Sequence, residues 1–182
     1  MGASINNDKG ILYVPSNNLA RIIWTQKKTN KRRYYDYPFL QEIIKDQNGY
    51  PGTKPPWGNI TAINLNNGKI IWQVPFGEYE DLKKKGIPIT GQTNMGGVTG
   101  TAGNLLFATG TLDKKIRAFD IRNGKELWNF KLPFIGSNPP TIYEFKEEQY
   151  IVVTSTGSSS MFNWYGKEAP FGNKIFAFKL KK

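Results

Sequence analysis

The chain repeats itself. Residues Ala62-Ile63-Asn64-Leu65-Asn66-Asn67-Gly68-Lys69-Ile70-Ile71-Trp72 return as Ala118-Phe119-Asp120-Ile121-Arg122-Asn123-Gly124-Lys125-Glu126-Leu127-Trp128, with the Ala, Asn, Gly, Lys and Trp kept in place. Phe176-Ala177-Phe178-Lys179-Leu180 is a third, shorter copy, and Ala62, Ala118 and Ala177 mark intervals of 56 and 59 residues. A fixed period of this length is the signature of supersecondary units that stack on one another. Each copy reads as strand, tight turn, strand, with Ile116, Ala118 and Asp120 on one face and Arg117 and Phe119 on the other. The Asn-Gly pairs predict two-residue type I′ hairpin turns, which need positive φ at both positions. Upstream of the second and third copies lie further strand pairs, Val98 to Ala102 with Leu105 to Thr109 and Thr141 to Phe145 with Gln149 to Thr154. Four strands per repeat make one blade of a β-propeller.

The first stretch divides in the same way. Ala3 to Asn6 and Ile11 to Pro15 flank the turn Asn7-Asp8-Lys9-Gly10, and the partner hairpin resumes at Ile60, leaving a long insertion over 16–58. The predicted fold is therefore all-β, a propeller fragment of about three four-stranded blades at 1–77, 96–133 and 136–182, the last lacking its outermost strand. Consecutive strands of a blade run antiparallel, so the long segments 16–58, 75–95 and 155–173 all emerge at one end. Function usually sits on such loops. A complete propeller needs at least four blades, and an open wedge leaves sheet faces bare, so other blades or a partner are expected.

Composition narrows the chemistry. Aromatics at 14%, with 19 Gly and 11 Pro, suit a turn-rich β chain. The chain has no Cys and no His, which excludes disulfides, thiolate metal sites and histidine base catalysis. The net charge of +11 is concentrated at Lys27 to Arg33 and Lys83 to Lys85, both in loop-like sequence, and reads as solvated loops instead of a nucleic-acid surface. No stretch approaches the roughly 20 apolar residues of a membrane helix, and no apolar signal core follows Met1.

The motif A-x-[DN]-x-x-[NT]-G-K-x-x-W resembles the tryptophan-docking motif of the pyrroloquinoline-quinone (PQQ) dehydrogenases, eight-bladed propellers in which each Trp packs between neighbouring blades. Trp72 and Trp128 match it. An indole is large, flat and carries one N–H that can meet a carbonyl next door. The order of Lys54-Pro55-Pro56-Trp57-Gly58, then Asn94-Met95-Gly96-Gly97-Val98-Thr99-Gly100-Thr101-Ala102-Gly103-Asn104-Leu105-Leu106-Phe107, Asp113-x-x-x-Arg117-Ala118 and Gln149-Tyr150-Ile151-Val152-Val153 resembles the C-terminal part of the membrane-bound quinoprotein glucose dehydrogenases. That resemblance implies a periplasmic oxidoreductase with PQQ and Ca²⁺ or Mg²⁺, oxidising a sugar or polyol and passing electrons to a quinone acceptor. It also implies that the metal ligands and the catalytic base belong to earlier blades, so no catalytic residue is assigned here and the chain alone is expected to be inactive.

The resemblance places Asn94, Met95, Gly96 and Gly97 in an inter-blade loop near the cofactor, where glycine backbone could reach PQQ carboxylates; the plain alternative is a tightly packed start to an inner strand. It places Asp113 on a cofactor-side loop, with a turn residue as the alternative. Arg117 pairs with Asp113 or a cofactor carboxylate, or is an ordinary strand arginine. Where the family shows Gly-Gly-His-Gly, this chain has Ser155-Thr156-Gly157-Ser158-Ser159-Ser160, so Ser155 and Thr156 stand near the expected axis without the histidine. Trp164 and Tyr165 either cover a pocket or anchor their loop, and Trp57 reads as a rigid lead into a strand. The competing reading is a non-catalytic scaffold or protein-binding module that self-associates through open blade edges.

Overall fold

The computed structural model describes residues 2–25, 39–157 and 171–180. Their strands form two four-stranded antiparallel sheets, one three-stranded sheet and one two-stranded hairpin. In the first sheet β1 (Ser4–Asn6), β2 (Ile11–Asn17), β5 (Gly58–Asn64) and β6 (Ile70–Pro75) lie side by side in that order. In the second, β7 (Val98–Gly100), β8 (Leu105–Ala108), β9 (Lys115–Asp120) and β10 (Glu126–Lys131) follow the same pattern. The third holds β11 (Thr141–Phe145), β12 (Glu148–Ser155) and β13 (Lys174–Lys179). The repeat thus marks one sheet each, and the third sheet has three strands among the described residues.

The sheets stack face to face through two apolar cores. Tyr13, Ile60 and Ala62 of the first sheet meet Leu106, Phe119 and Ile121 of the second. Phe107, Ile116 and Ala118 of the second meet Ile151 and Val153 of the third. Alternation along β9 therefore sends Ile116 and Ala118 one way and Phe119 the other, and both directions are interior because the strand lies between two neighbours.

Trp72 bridges the first two sheets. Its Nε1 donates to the Ile121 carbonyl at 3.1 Å, and its ring lies 5.9 Å from that of Tyr13. Gly124 passes over the indole so closely that a Cβ there would stand 2.7 Å from the Trp72 ring, and its φ of 73° is a left-handed value. Trp128 occupies the matching place opposite Ala118, as Trp72 stands opposite Ala62, and its ring meets Phe178 edge-on at 5.3 Å.

Four local expectations need correction. The Asn-Gly turns are not type I′, because only Gly68 and Gly124 have positive φ while Asn67 and Asn123 do not. The asparagines work through their side chains instead: Asn67 Oδ1 accepts from the Lys69 amide at 3.0 Å and Asn123 Oδ1 from the Lys125 amide at 2.9 Å. Lys83 and Lys84 lie in a helix, α1 (Glu80–Lys84), not in a loop, and Lys85 caps it. Glu80 and Asp81 in its first turn and the lysines in its last complement the helix dipole, and Leu82 is buried beneath it. The insertion holds its own hairpin, β3 (Arg21–Thr25) with β4 (Phe39–Ile43). Finally, Ser16, Asn17 and Gly58 are strand residues, so the insertion spans 18–57.

Candidate functional site

The pairing registers place every long connection at one end of the stack. Asn17 stands opposite Gly58 and Asn59 opposite Pro75, and the same end carries the β6–β7, β8–β9, β10–β11 and β12–β13 connections. The short hairpin turns lie at the other end. The candidate residues therefore share one face.

Asp113 is the centre of a buried polar network on that face. It and Arg117 are each 3% exposed at the side chain and form an ion pair between Arg117 Nη2 and Asp113 Oδ2. Asp113 Oδ1 also accepts from Arg117 Nη1 at 3.2 Å and from Thr111 Oγ1 at 2.5 Å, and Oδ2 accepts from the Glu78 amide at 3.0 Å. The Asp113 amide donates to Gln92 Oε1 at 2.9 Å, and Arg117 Nε donates to Glu126 Oε2 at 3.0 Å. Burial pushes the Asp113 carboxyl up, yet the Arg117 guanidinium and the Thr111 hydroxyl outweigh it and leave it below its ordinary range. Arg117 is raised: burial opposes its charge, and Asp113 and Glu126 more than offset that. The guanidinium also lies 5.9 Å from the centre of the Phe76 ring.

That network ties two connections together, since Glu78 and Gln92 belong to the β6–β7 segment and Thr111 and Asp113 to the β8–β9 loop. Asn94 extends the tie to the first sheet. Its amide donates to Asn17 Oδ1 at 2.9 Å, its Nδ2 donates to the Ser16 carbonyl at 3.0 Å, and its carbonyl accepts from Asn17 Nδ2 at 2.9 Å. Asn94 is fully buried, and its Oδ1 has no hydrogen-bond partner among the described residues. The Met95 amide donates to the Gly110 carbonyl at 2.9 Å, and the Met95 side chain is half-buried. Gly96 and Gly97 are packing glycines: a Cβ on Gly96 would strike the Thr109 carbonyl, and one on Gly97 would lie 2.5 Å from Pro139.

Ser155 and Thr156 stand apart from that group, against the β10–β11 connection. The Ser155 hydroxyl donates to the Phe134 carbonyl at 2.8 Å and accepts from the Phe134 amide at 3.0 Å, in a fully buried position. Thr156 is half-buried, and its carbonyl accepts from the Gly172 amide at 3.1 Å. Thr109 and Thr99 link the two groups, the Thr109 hydroxyl donating to the Gly136 carbonyl at 3.1 Å and the Thr99 hydroxyl to the Pro140 carbonyl at 2.6 Å. Trp164, Tyr165, Ser158 to Ser160 and the Lys27 to Arg33 cluster lie outside the described residues.

Sequence reasoning missed Gln92, Glu78, Thr111 and Asn17, which are polar residues in loops or at a strand end with no local pattern to single them out. It also missed an aromatic cluster. Trp57 stacks on Tyr50 at 6.0 Å and meets Tyr79 edge-on at 5.5 Å, while its Nε1 donates to the Thr53 carbonyl at 2.7 Å. Trp57 thus anchors the insertion beside α1, just ahead of β5. Among the described residues no three His, Cys, Asp or Glu side chains converge as metal ligands.

The family described as "PQQ: Glucose/ethanol/alcohol dehydrogenase, beta-propeller domain" matches residues 1–151. The chain belongs to this PQQ propeller family. It is 34% identical to the quinate/shikimate dehydrogenase (quinone) of Acinetobacter baylyi over 87% of its own length and 18% of that relative. It is 35% identical to the quinoprotein glucose dehydrogenase of Escherichia coli (79% and 17%) and 30% identical to the quinoprotein ethanol dehydrogenase of Pseudomonas aeruginosa (96% and 26%). Among solved structures, a europium-containing methanol dehydrogenase superposes with a TM-score of 0.63 at 23% identity, over 85% of this chain and 24% of that one. That likeness confirms the propeller fold. The chain spans about a quarter or less of these quinoproteins, so it is a fragment of a PQQ propeller.

The side chains of this PQQ-family chain fit the cofactor as a frame more than as ligands. The functional groups of Asp113 and Ser155 are spent within the protein, and the Asn94 amide nitrogen is likewise committed; its free Oδ1 is an acceptor, which does not suit a cofactor carboxylate. Met95 and Thr156 keep partly exposed side chains on the loop face.

Proposed function

We propose that residues 1–182 are the part of a PQQ-dependent dehydrogenase that walls one side of the cofactor chamber, in an enzyme oxidising a sugar or polyol and passing electrons to a quinone in the periplasm. The observation that carries this reading is the convergence of the β6–β7 and β8–β9 connections on one buried knot, Asp113 with Arg117, at the end of the stack where all the long loops emerge. When bound, PQQ supplies an electrophilic carbonyl that accepts a hydride. This chain's residues hold the wall. Asp113 and Arg117 fix Gln92 and Glu78, and Asn94 fixes the loop to Asn17. Gly96 and Gly97 allow the close approach of the loops, and Ser155 sets the Phe134 segment. Met95 and Thr156 are the side chains that face the chamber. The metal, Ca²⁺ or Mg²⁺, and the catalytic base belong to blades beyond these residues.

The test is dye reduction with PQQ and Ca²⁺. The isolated chain is expected to show no turnover of glucose, and clear turnover would overturn the fragment reading. Joined to its remaining blades, it should reduce the dye with at least one of glucose, quinate, glycerol or ethanol. A stably folded, PQQ-loaded propeller inactive on all four would overturn the dehydrogenase reading. The engagement of Asn94, Asp113 and Ser155 in packing favours one second reading, a non-catalytic scaffold. A closed oligomer of this chain alone, seen by light scattering, would support it.

A further inference from the structure

Charge is shared unevenly between the two ends of the stack. At the turn end the signs offset one another: Arg122 pairs with Asp120 at 2.6 Å and Lys179 with Glu148 at 2.9 Å, and Lys9, Lys125 and Lys146 each have an acid beside them in the chain. At the loop end the acids around the Asp113–Arg117 pair are already taken. The buried Glu78 carboxylate is shared by Lys83 at 3.0 Å and Lys115 at 4.0 Å, Glu80 pairs with Lys115 at 3.2 Å, and Asp81 accepts from the Tyr50 hydroxyl. Among the described residues this leaves Lys84, Lys85, Lys114 and Lys131 with no acid at ion-pair distance; Lys114 is half-buried and the other three are exposed. Lys114 also holds a φ of 62°, a left-handed value that asparagine or glycine would take at lower cost. The backbone there bears strain to set a cation directly beside Asp113.

These cations flank the knot on both sides. Lys84 and Lys85 lie on the same β6–β7 connection as Gln92, Lys114 follows Asp113 in the β8–β9 loop, and Lys131 ends β10 where the β10–β11 connection begins. We infer that the loop end is an electrostatic funnel for small anions, and that the substrate drawn to it is an anionic polyol, one that carries a carboxylate. A rim of uncompensated charge of one sign raises the local concentration and the association rate of the opposite sign by about tenfold or more, and loses that effect as salt rises. A neutral sugar gains nothing from such a rim. The lysines act at a distance and touch no reacting atom, so they govern capture and not the chemical step. The identity of the anion as a substrate rests on the dehydrogenase reading, but the field is measured without PQQ or turnover, so the two can fail separately.

Two measurements test it. The full 182-residue chain is given a carboxylate-bearing nitroxide and then a cationic nitroxide of the same size, and their relaxation of the backbone amides is compared by NMR. The anionic probe should act at least about twice as strongly as the cationic one on the amides of Lys84, Lys85 and Lys114, and equally on those of Asn123 and Lys125 at the turn end. Lys84→Gln, Lys85→Gln and Lys114→Asn together should remove most of that excess; asparagine accepts the left-handed backbone, so the turn keeps its shape. In the completed, PQQ-loaded propeller, kcat/KM for quinate should exceed that for its uncharged methyl ester by about threefold or more and fall with added salt. The triple variant should bring the value for quinate down toward that of the ester and leave the ester's own value unchanged. Because PQQ is in place in both assays, its own carboxylates do not enter the comparison. Equal probe effects at the two ends would overturn the inference, as would a completed enzyme that oxidises only neutral polyols or treats acid and ester alike. A completed propeller inactive on every polyol, with the probe contrast intact, would sink the dehydrogenase reading alone.

Discussion

Trp72 and Trp128 are the same residue in two copies of one motif, yet they do different amounts of work. Trp72 has a carbonyl for its N–H and a glycine over its ring, whereas Trp128 has an open side. Trp72→Ala should therefore cost about 3–5 kcal/mol in urea unfolding, the range for truncating a packed aromatic, and Trp128→Ala less than half as much. Equal losses would show that the cleft beside Trp128 is not open in solution. Asp113 and Arg117 form a second focus. Removing Asp113 leaves the buried Arg117 with only the more exposed Glu126 as a charged partner, so Asp113→Ala should cost about 3 kcal/mol. Asp113→Ala combined with Arg117→Met should recover part of that loss, because the under-compensated buried charge goes too. At the β9–β10 turn, the Asp120 carboxyl is held down to about 2 by the side chain and amide of Arg122. Its folded value lies below its ordinary 3.8, so its contribution to stability is complete above about pH 4 and is lost as pH falls toward 2. A carbon-13 carboxyl titration should find the low midpoint, and Arg122→Ala should move it upward; an unmoved midpoint would remove Arg122 as the cause.

The elements differ in how firmly they are held. The second four-stranded blade is clamped between two neighbours, and its β9 is buried on both faces. The β3–β4 hairpin has two strands, and Ile22, Ile23 and Trp24 are exposed on it. It is tied to the body at its base, where the Ile44 amide donates to the Ala20 carbonyl at 3.0 Å and Ile43 is buried. An isolated two-stranded hairpin is marginal in water. Amide exchange in β3 and β4 should therefore run through local opening, at least tenfold faster than in β5, β8 and β9. Uniform protection would mean that another surface covers the hairpin.

Seen whole, the molecule is a wedge with apolar outer faces. Ile5, Leu12, Val14 and Ile63 line the far face of the first sheet, and Tyr143, Tyr150, Val152 and Ile175 that of the third. Several of these are well exposed, and Ile175 is 72% so. Contiguous apolar surface of this kind marks an interface. The isolated chain should bind a hydrophobic dye under native conditions, and joining it to further blades should abolish most of that signal. A dye-silent isolated chain would argue that the faces are already covered.

Much of this was legible in the residues. The A-x-[DN]-x-x-[NT]-G-K-x-x-W repeat set the blades, the strand pairs and the common end of the long loops, because a strand's period and a turn's chemistry are local properties that survive without a partner. The β3–β4 hairpin and α1 were not legible, since neither carries the repeat and each is stabilised by what it rests on. The site divided in the same way. The sequence singled out Asp113, Arg117 and Asn94 to Gly97 as residues of interest, but their partners Gln92, Glu78, Thr111 and Asn17 come from distant segments that only chain folding brings within hydrogen-bond reach. Sequence alone determined that a tryptophan stands at the end of each of the first two repeats. Tertiary structure decided that one of them is closed over and the other open, because a dock is made by the next blade's turn and not by the tryptophan itself.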